Sequence, residues 1–231
     1  MAENKVTFFA LRHAESTAIL LKQIQSAPEQ CIDNFGITDL GKEQSRTASL
    51  NFYNLIKDQL IMRQPTQIEI ISSDFLRARE TQILFFKSLQ NLLQSNKKND
   101  TDFIPSVSTR IDERLRERNF GNLNGQSITK YNDVWAHDIQ DSSTSIEGAE
   151  SCKQVSLRLM AFLNDCLKSK NSSIGKKKET GRNEERIVVC VSHGDTLQIL
   201  QTCFIKMNPG IHRSLPHLKT AEIRLLGEWN E

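Results

Sequence analysis

Two of the five histidines in this 231-residue chain stand directly behind short apolar runs. Val6–Leu11 is followed by Arg12 and His13, and Ile187–Val191 by Ser192, His193 and Gly194. A third run, Ile68–Ile71, ends in Ser72-Ser73-Asp74 and then delivers Arg77 and Arg79. Near neutral pH an imidazole can serve as nucleophile, base or hydrogen-bond donor. Guanidinium grips phosphate-like oxyanions through its planar fork and keeps its charge. Basic side chains in the first turn of a helix oppose its dipole unless an anion is held there. Two imidazoles, two arginines and a helix N-terminus in one crevice would make a trap for a dianion.

That chemistry requires elements that bring the residues together. The three runs are almost continuously apolar, as parallel strands covered on both faces are. Phe103–Val107 and Ala221–Leu226 are weaker strand candidates. Helical patterns lie between them. Thr38 is a candidate N-cap for a helix whose apolar face is Ala48, Phe52, Leu55, Ile56 and Leu60. Asp74–Gln94 repeats the spacing with Ala78, Phe85, Leu89 and Leu92. Ser151 with Gln154 reads as a capping box opening a helix with Val155, Leu159, Phe162, Leu163 and Cys166 inward. A further helix is expected from about Thr196 to Ile205.

Strands alternating with helices predict an α/β fold, a three-layer α/β/α sandwich with a mostly parallel central sheet. Ligands of such sheets bind beyond the carboxyl ends of the strands, which puts His13 and His193 at the same end. We read residues 1–231 as one domain. Residues of about 108–149 break the rhythm as a loop-rich insertion over the active site, with a short helix near Tyr131–Ile139. Ser95–Asp102 and a stretch of about 169–186 lack apolar periodicity and read as mobile loops.

Composition narrows the classes. Apolar residues make up 38% and charged residues 25%, with 10 Gly and 5 Pro, which is globular and neither disordered nor collagen-like. Net charge is +2, too weak a bias for a dedicated nucleic-acid binder. Five widely spaced Cys with no CxxC pair suggest neither a disulfide framework nor a thiolate zinc site. No run approaches the ~18 apolar residues of a membrane span. No secretory signal pattern opens the chain, so a cytoplasmic setting is expected.

The blocks Leu11-Arg12-His13-Ala14-Glu15-Ser16-Thr17, Ile37-Thr38-Asp39-Leu40-Gly41, Ser72-Ser73-Asp74-Phe75-Leu76-Arg77-Ala78, Leu115-Arg116-Glu117 through Gly121 and Gly125, Gly148-Ala149-Glu150-Ser151 and Val191-Ser192-His193-Gly194 resemble the histidine phosphatase (phosphoglycerate-mutase-like) superfamily in content and order. The resemblance implies His13 as the nucleophile that becomes phosphorylated. It implies Arg12 and Arg77 as the phosphate clamp, and a protonated His193 as a further donor to the phosphoryl oxygens. Glu117 would be the acid and then the base. No metal or cofactor is needed on this reading. Its ligands would be a small phosphoester substrate and inorganic phosphate.

The expected activity is metal-independent hydrolysis of a small phosphorylated metabolite. A phosphoglycerate-type mutase and a catalytically weak phosphate-binding regulatory module are the alternatives. Many family members carry Gly at the position of Ala14, which requires that the backbone there not need glycine's freedom. The mutases and bisphosphatases commonly carry Asn at the position of Ile19, which speaks against the mutase. The Arg110–Arg118 run could favour a substrate with a second anionic group. Arg79, His137, His212 and His217 are read as structural.

Overall fold

The computed structural model describes residues 6–62, 65, 67–97, 104–168 and 185–229. The mobile-loop expectations for residues 98–102 and 169–184, and residue 103 of the expected strand, lie outside them.

Among the described residues five strands form one sheet: β1 Val6–Arg12, β2 Gln67–Ser72, β3 Ser106–Ile111, β4 Arg186–Ser192 and β5 Ile223–Trp229. Their order is β3-β2-β4-β1-β5. All neighbours run parallel except β5, which lies antiparallel on β1. Parallel pairing aligns Arg12 with Ser192 and Ser72 with Val191, so β1, β2 and β4 end at one level.

Among the described residues seven α-helices accompany the sheet: α1 Thr17–Leu20, α2 Pro28–Cys31, α3 Asp39–Met62, α4 Leu76–Ser95, α5 Tyr131–Gln140, α6 Cys152–Lys168 and α7 Gly194–Phe204. Alternate strand residues go to opposite faces. Phe8, Ala10, Val188 and Cys190 pack with Val155, Leu159 and Phe162 of α6 and Leu197 and Leu200 of α7. Phe9, Leu11, Ile70 and Val189 pack with Ala48, Phe52 and Ile56 of α3 and Phe85 and Leu89 of α4. The predicted three layers and parallel sheet are therefore present.

The caps follow the predicted chemistry. The Gly41 amide donates to Thr38 Oγ1 at 3.0 Å. The Ser151 amide donates to Gln154 Oε1 at 2.8 Å, and the Gln154 amide to Ser151 Oγ at 3.2 Å, a reciprocal capping box. Gly41 is required for another reason: a Cβ there would stand 2.2 Å from the Glu15 carbonyl oxygen, so only glycine lets α3 close on the loop behind His13.

Several boundaries and faces differ from expectation. The fourth strand is Ser106–Ile111 rather than Phe103–Val107, and it claims residues 108–111 from the predicted insertion. β3 is an edge strand with most of its side chains exposed, so it lacks the apolar run that marks a buried strand. β5 is likewise an edge, and starts two residues later than predicted. Leu55 points outward from α3, and Leu93 rather than Leu92 lies in the α4 core. α7 begins at Gly194, two residues early, because His193 itself is its N-cap. No helix among the described residues is long and apolar enough to cross a membrane.

Candidate active site

β1, β2 and β4 deliver their chain ends to one crevice. The His13 amide donates to the Ser192 carbonyl at 2.9 Å, and the Ser73 amide to that of Val191 at 3.0 Å. The rings of His13 and His193 stand 5.1 Å apart, centroid to centroid, and both side chains are buried. Phe75 packs on the other side of His193, 5.1 Å away. Ala14 makes no demand for glycine: its φ is not positive, its amide donates to Thr81 Oγ1 at 3.0 Å, and its methyl joins the core.

Hydrogen bonds fix the tautomer of His13. Nδ1 faces the Ala14 carbonyl at 2.8 Å, and a carbonyl can only accept, so Nδ1 carries the proton. Nε2 is left with its lone pair and has no hydrogen-bond partner among the described residues. Burial, then the guanidinium groups of Arg77 and Arg12, push the pKa of His13 well below the ordinary imidazole range. It is therefore a neutral imidazole, basic at Nε2, at neutral pH.

Around it lie donors that the protein does not use. Arg12 Nη1 donates to the Leu218 carbonyl at 2.9 Å and to His217 Nε2 at 2.7 Å, but its buried Nε has no partner. Arg77 Nη2 donates to the Gln25 carbonyl at 2.9 Å, while its buried Nη1 has none. His193 Nε2 lies 2.9 Å from Ser73 Oγ, whose hydroxyl can donate to it. The Phe75 amide already donates to that oxygen, and with the hydroxyl donating to Nε2 the ring proton is on Nδ1, which is buried and has no partner among the described residues. Buried polar atoms are almost always satisfied, so three such donors beside one imidazole call for an acceptor.

Burial, then Arg77 and the neighbouring His13, hold the His193 pKa well below the usual range. A neutral ring with the proton on Nδ1 still offers a donor.

Glu117 is half-buried beside the start of α7. Its Oε1 accepts from the Thr196 amide at 3.1 Å, the Thr196 hydroxyl at 3.2 Å and the Arg118 amide at 3.0 Å. Burial, and then the Asp195 carboxylate, raise its pKa above the usual carboxyl range. Asp195 itself was not singled out by the sequence reading. Its Oδ1 accepts from Trp135 Nε1 at 3.0 Å and faces His212 Nε2 at 3.1 Å, and Arg118 Nη1 lies 3.3 Å from Oδ2. Burial alone would raise its pKa, but His212, then Arg118 and Arg213, overcome that and hold it ionised. A carboxyl with a raised pKa beside one held ionised is the pattern by which acid and base roles are separated.

Arg118 sits fully buried on Asp138, with contacts of 2.6 and 2.8 Å. Asp138, Cys152 and His212 bring their ligand atoms within 4.8 Å of one another. Arg118 takes both Asp138 oxygens, so a guanidinium supplies the positive charge there. Over the site Trp135 stacks on Tyr131 at 5.1 Å and 10°, and Arg213 lies 3.8 Å from the Trp135 ring centre. This aromatic pair belongs to α5, the helix expected near Tyr131.

The structure separates the arginines. Arg110 pairs with Glu69 and Asp112, Arg114 with Asp112 and Asp165, and Arg116 with Asp74 and Glu113. A cavity of about 970 Å³ is lined by Glu117 together with Asp74, Asp112, Glu113, Arg114, Arg116 and Arg158, and neither His13, His193, Arg12 nor Arg77 lines it. Each of Arg110, Arg114 and Arg116 is paired with the protein's own carboxylates. Arg79 donates to the Ile32 carbonyl at 2.7 Å, the structural role expected of it.

The sequence model of the histidine phosphatase superfamily (branch 1) matches residues 8–230. The chain belongs to the histidine phosphatase superfamily. Among solved structures, the fold is similar to that of the mycobacterial glucosyl-3-phosphoglycerate phosphatase, with a TM-score of 0.62, 22% identity, and 95% of this chain and 88% of that chain covered. It is also similar to a mutant phosphoserine phosphatase of Entamoeba histolytica in complex with phosphoserine, with a TM-score of 0.61, 19% identity, and 97% and 94% covered. No curated protein sequence matches the chain.

Proposed function

We propose that this histidine phosphatase superfamily member is a metal-independent phosphomonoester hydrolase acting on a small phosphorylated metabolite. The observation that carries the reading is the set of three unused buried donors, Arg12 Nε, Arg77 Nη1 and His193 Nδ1, around an imidazole with a free Nε2 lone pair. Membership in the superfamily supports it.

In the first step His13 Nε2 attacks phosphorus and the bond to the leaving oxygen breaks. Glu117, carrying its proton, gives it to that oxygen and the alcohol departs. The raised pKa of Glu117 favours the protonated acid this step needs. Arg12, Arg77 and His193 hold the nonbridging oxygens throughout, so they meet charge as it shifts without reorganising. In the second step Glu117, now a carboxylate, takes a proton from water as its oxygen attacks the phosphohistidine. Inorganic phosphate leaves and His13 regains its lone pair. The guanidinium groups of Arg12 and Arg77 neutralise the phosphoryl charge that magnesium neutralises in kinases, and His193 adds a hydrogen bond.

The test is hydrolysis of an aryl phosphate by the wild type and by His13→Ala. The variant is expected to fall to background while keeping its fold by circular dichroism. Equal rates would remove His13 from the chemistry. Glu117→Gln is expected to lose about 10²–10⁴-fold in kcat on a poor leaving group, and less on an activated aryl phosphate, whose departing oxygen needs no proton.

A further inference from the structure

His217 carries no role in the scheme above, and the sequence reading treats it as structural. It stands on the segment between α7 and β5, far from β1 in sequence. Its Nε2 nevertheless lies 2.7 Å from Arg12 Nη1, the guanidinium nitrogen that also donates to the Leu218 carbonyl. A guanidinium can only donate, so this contact exists only while His217 Nε2 holds a lone pair.

The remaining partners set that state. Gln198 Nε2 donates to the Leu215 carbonyl at 2.9 Å and lies 3.4 Å from that of His212. Two carbonyls around the amide nitrogen orient the side chain, so Oε1 must face the other way. Oε1 accepts from Arg213 Nη1 and lies 3.3 Å from His217 Nδ1. Arg213 Nη1 also lies 3.4 Å from His217 Nδ1. With Nε2 accepting from Arg12 at 2.7 Å, the proton of the neutral ring is on Nδ1, where Gln198 Oε1 is its acceptor. Close approach is built into the backbone: a Cβ at Gly194 would stand 3.3 Å from His217 Cε1 and 3.7 Å from Arg12 Cζ. The relay Gln198–His217–Arg12 thus runs from α7 to the end of β1.

We propose that His217 is a positioning residue for the phosphate clamp, holding Arg12 by its Nη1 so that Nε faces the phosphoryl site beside His13. This rests on the hydrolase reading only for what the clamp is for; the positioning itself is read by anion binding. The charged groups facing the ring are Arg12 from β1, Arg213 from the 3-10 segment Pro209–Ser214, Asp195 from α7 and Glu222 ahead of β5. Desolvation, then Arg12 and Arg213, lower the His217 pKa to about 4. The ring is exposed, and the two guanidinium groups beside it favour its neutral form. A cation at this position would face the Arg12 guanidinium instead of accepting from it.

The experiment compares His217→Ala, His217→Gln and His217→Lys. Readouts are binding of inorganic phosphate and of orthovanadate by titration calorimetry, and kcat and KM on an aryl phosphate. Loss of a hydrogen bond to a charged group predicts about 10- to 100-fold weaker phosphate and vanadate binding for His217→Ala. His217→Gln, which restores an acceptor, is expected to recover most of it. His217→Lys is expected to bind more weakly than His217→Ala. NMR of the imidazole nitrogens is expected to show the Nδ1–H tautomer at neutral pH. Unchanged anion affinity in His217→Ala, or an equal loss in all three variants, would overturn the assignment. If the wild type binds phosphate and the variants rank as predicted, yet nothing is hydrolysed, the hydrolase reading fails and the positioning role stands.

Discussion

Two groups of arginines stand within one molecule and face opposite fates. Arg110, Arg114, Arg116 and Arg118 crowd one short stretch, and each is matched by carboxylates. Arg12 and Arg77 lie far apart in sequence, meet in one crevice, and donate to carbonyls and to one imidazole. Density of positive charge along the chain thus misleads, because neighbouring acids cancel it. What marks the ligand site is the convergence of such donors, Arg12 Nε and Arg77 Nη1, beside one imidazole, each without a partner among the described residues.

The sharpest way to break this comparison is to exchange the fates. Arg118→Met is expected to cost about 3–5 kcal/mol of stability, because it strands the buried carboxylates of Asp138 and Asp195. Urea denaturation reads that loss, and an unchanged midpoint would contradict it. Arg77→Gln is expected to leave the fold and lower kcat by about 10²–10³-fold, the usual cost of one donor to developing charge.

Burial of the two active-site imidazoles has its own consequence. The folded pKa values of His13 and His193 lie below the unfolded value near 6.5. Above about pH 6.5 both states are neutral and the groups cost nothing. Below it the unfolded chain takes up protons that the folded one does not, so stability falls as pH falls. One pH unit lower, each ring accounts for up to about 1.4 kcal/mol. Glu117, with a raised pKa, acts oppositely: its contribution is full below the ordinary carboxyl value near 4.5 and is lost as pH rises through its folded pKa. Unfolding midpoints at pH 7.5 and 5.5 should differ less in a His13→Gln, His193→Gln double variant than in the wild type. The smallest effect belongs to Arg116→Gln, whose ion pair with Asp74 is partly solvated: about 0–1 kcal/mol, with phosphate binding unchanged.

The fold was legible where burial leaves a mark on composition. β1, β2 and β4 are covered on both faces and read as apolar runs, and α6 announces itself through Ser151 and Gln154. β3 and β5 are half-exposed edges and leave a weaker trace, so their bounds shifted. His13, His193, Arg12 and Arg77 were legible because strand ends in a parallel sheet must converge. Asp195, Trp135 and His212 were not, since their meeting depends on how α5 and the 209–214 segment fold over α7. His217 was missed for the same reason. A lone histidine in a loop carries no spacing signal, and its partner Arg12 belongs to the first strand.

The central claim is that the unpartnered donors beside His13 grip a tetrahedral oxyanion. A crystal structure with orthovanadate tests it most directly. The account predicts vanadium in line with His13 Nε2, with its oxygens on Arg12 Nε, Arg77 Nη1 and His193 Nδ1. Vanadate seated among Arg114, Arg116 and Arg158 in the neighbouring cavity, with His13 Nε2 uninvolved, would contradict it.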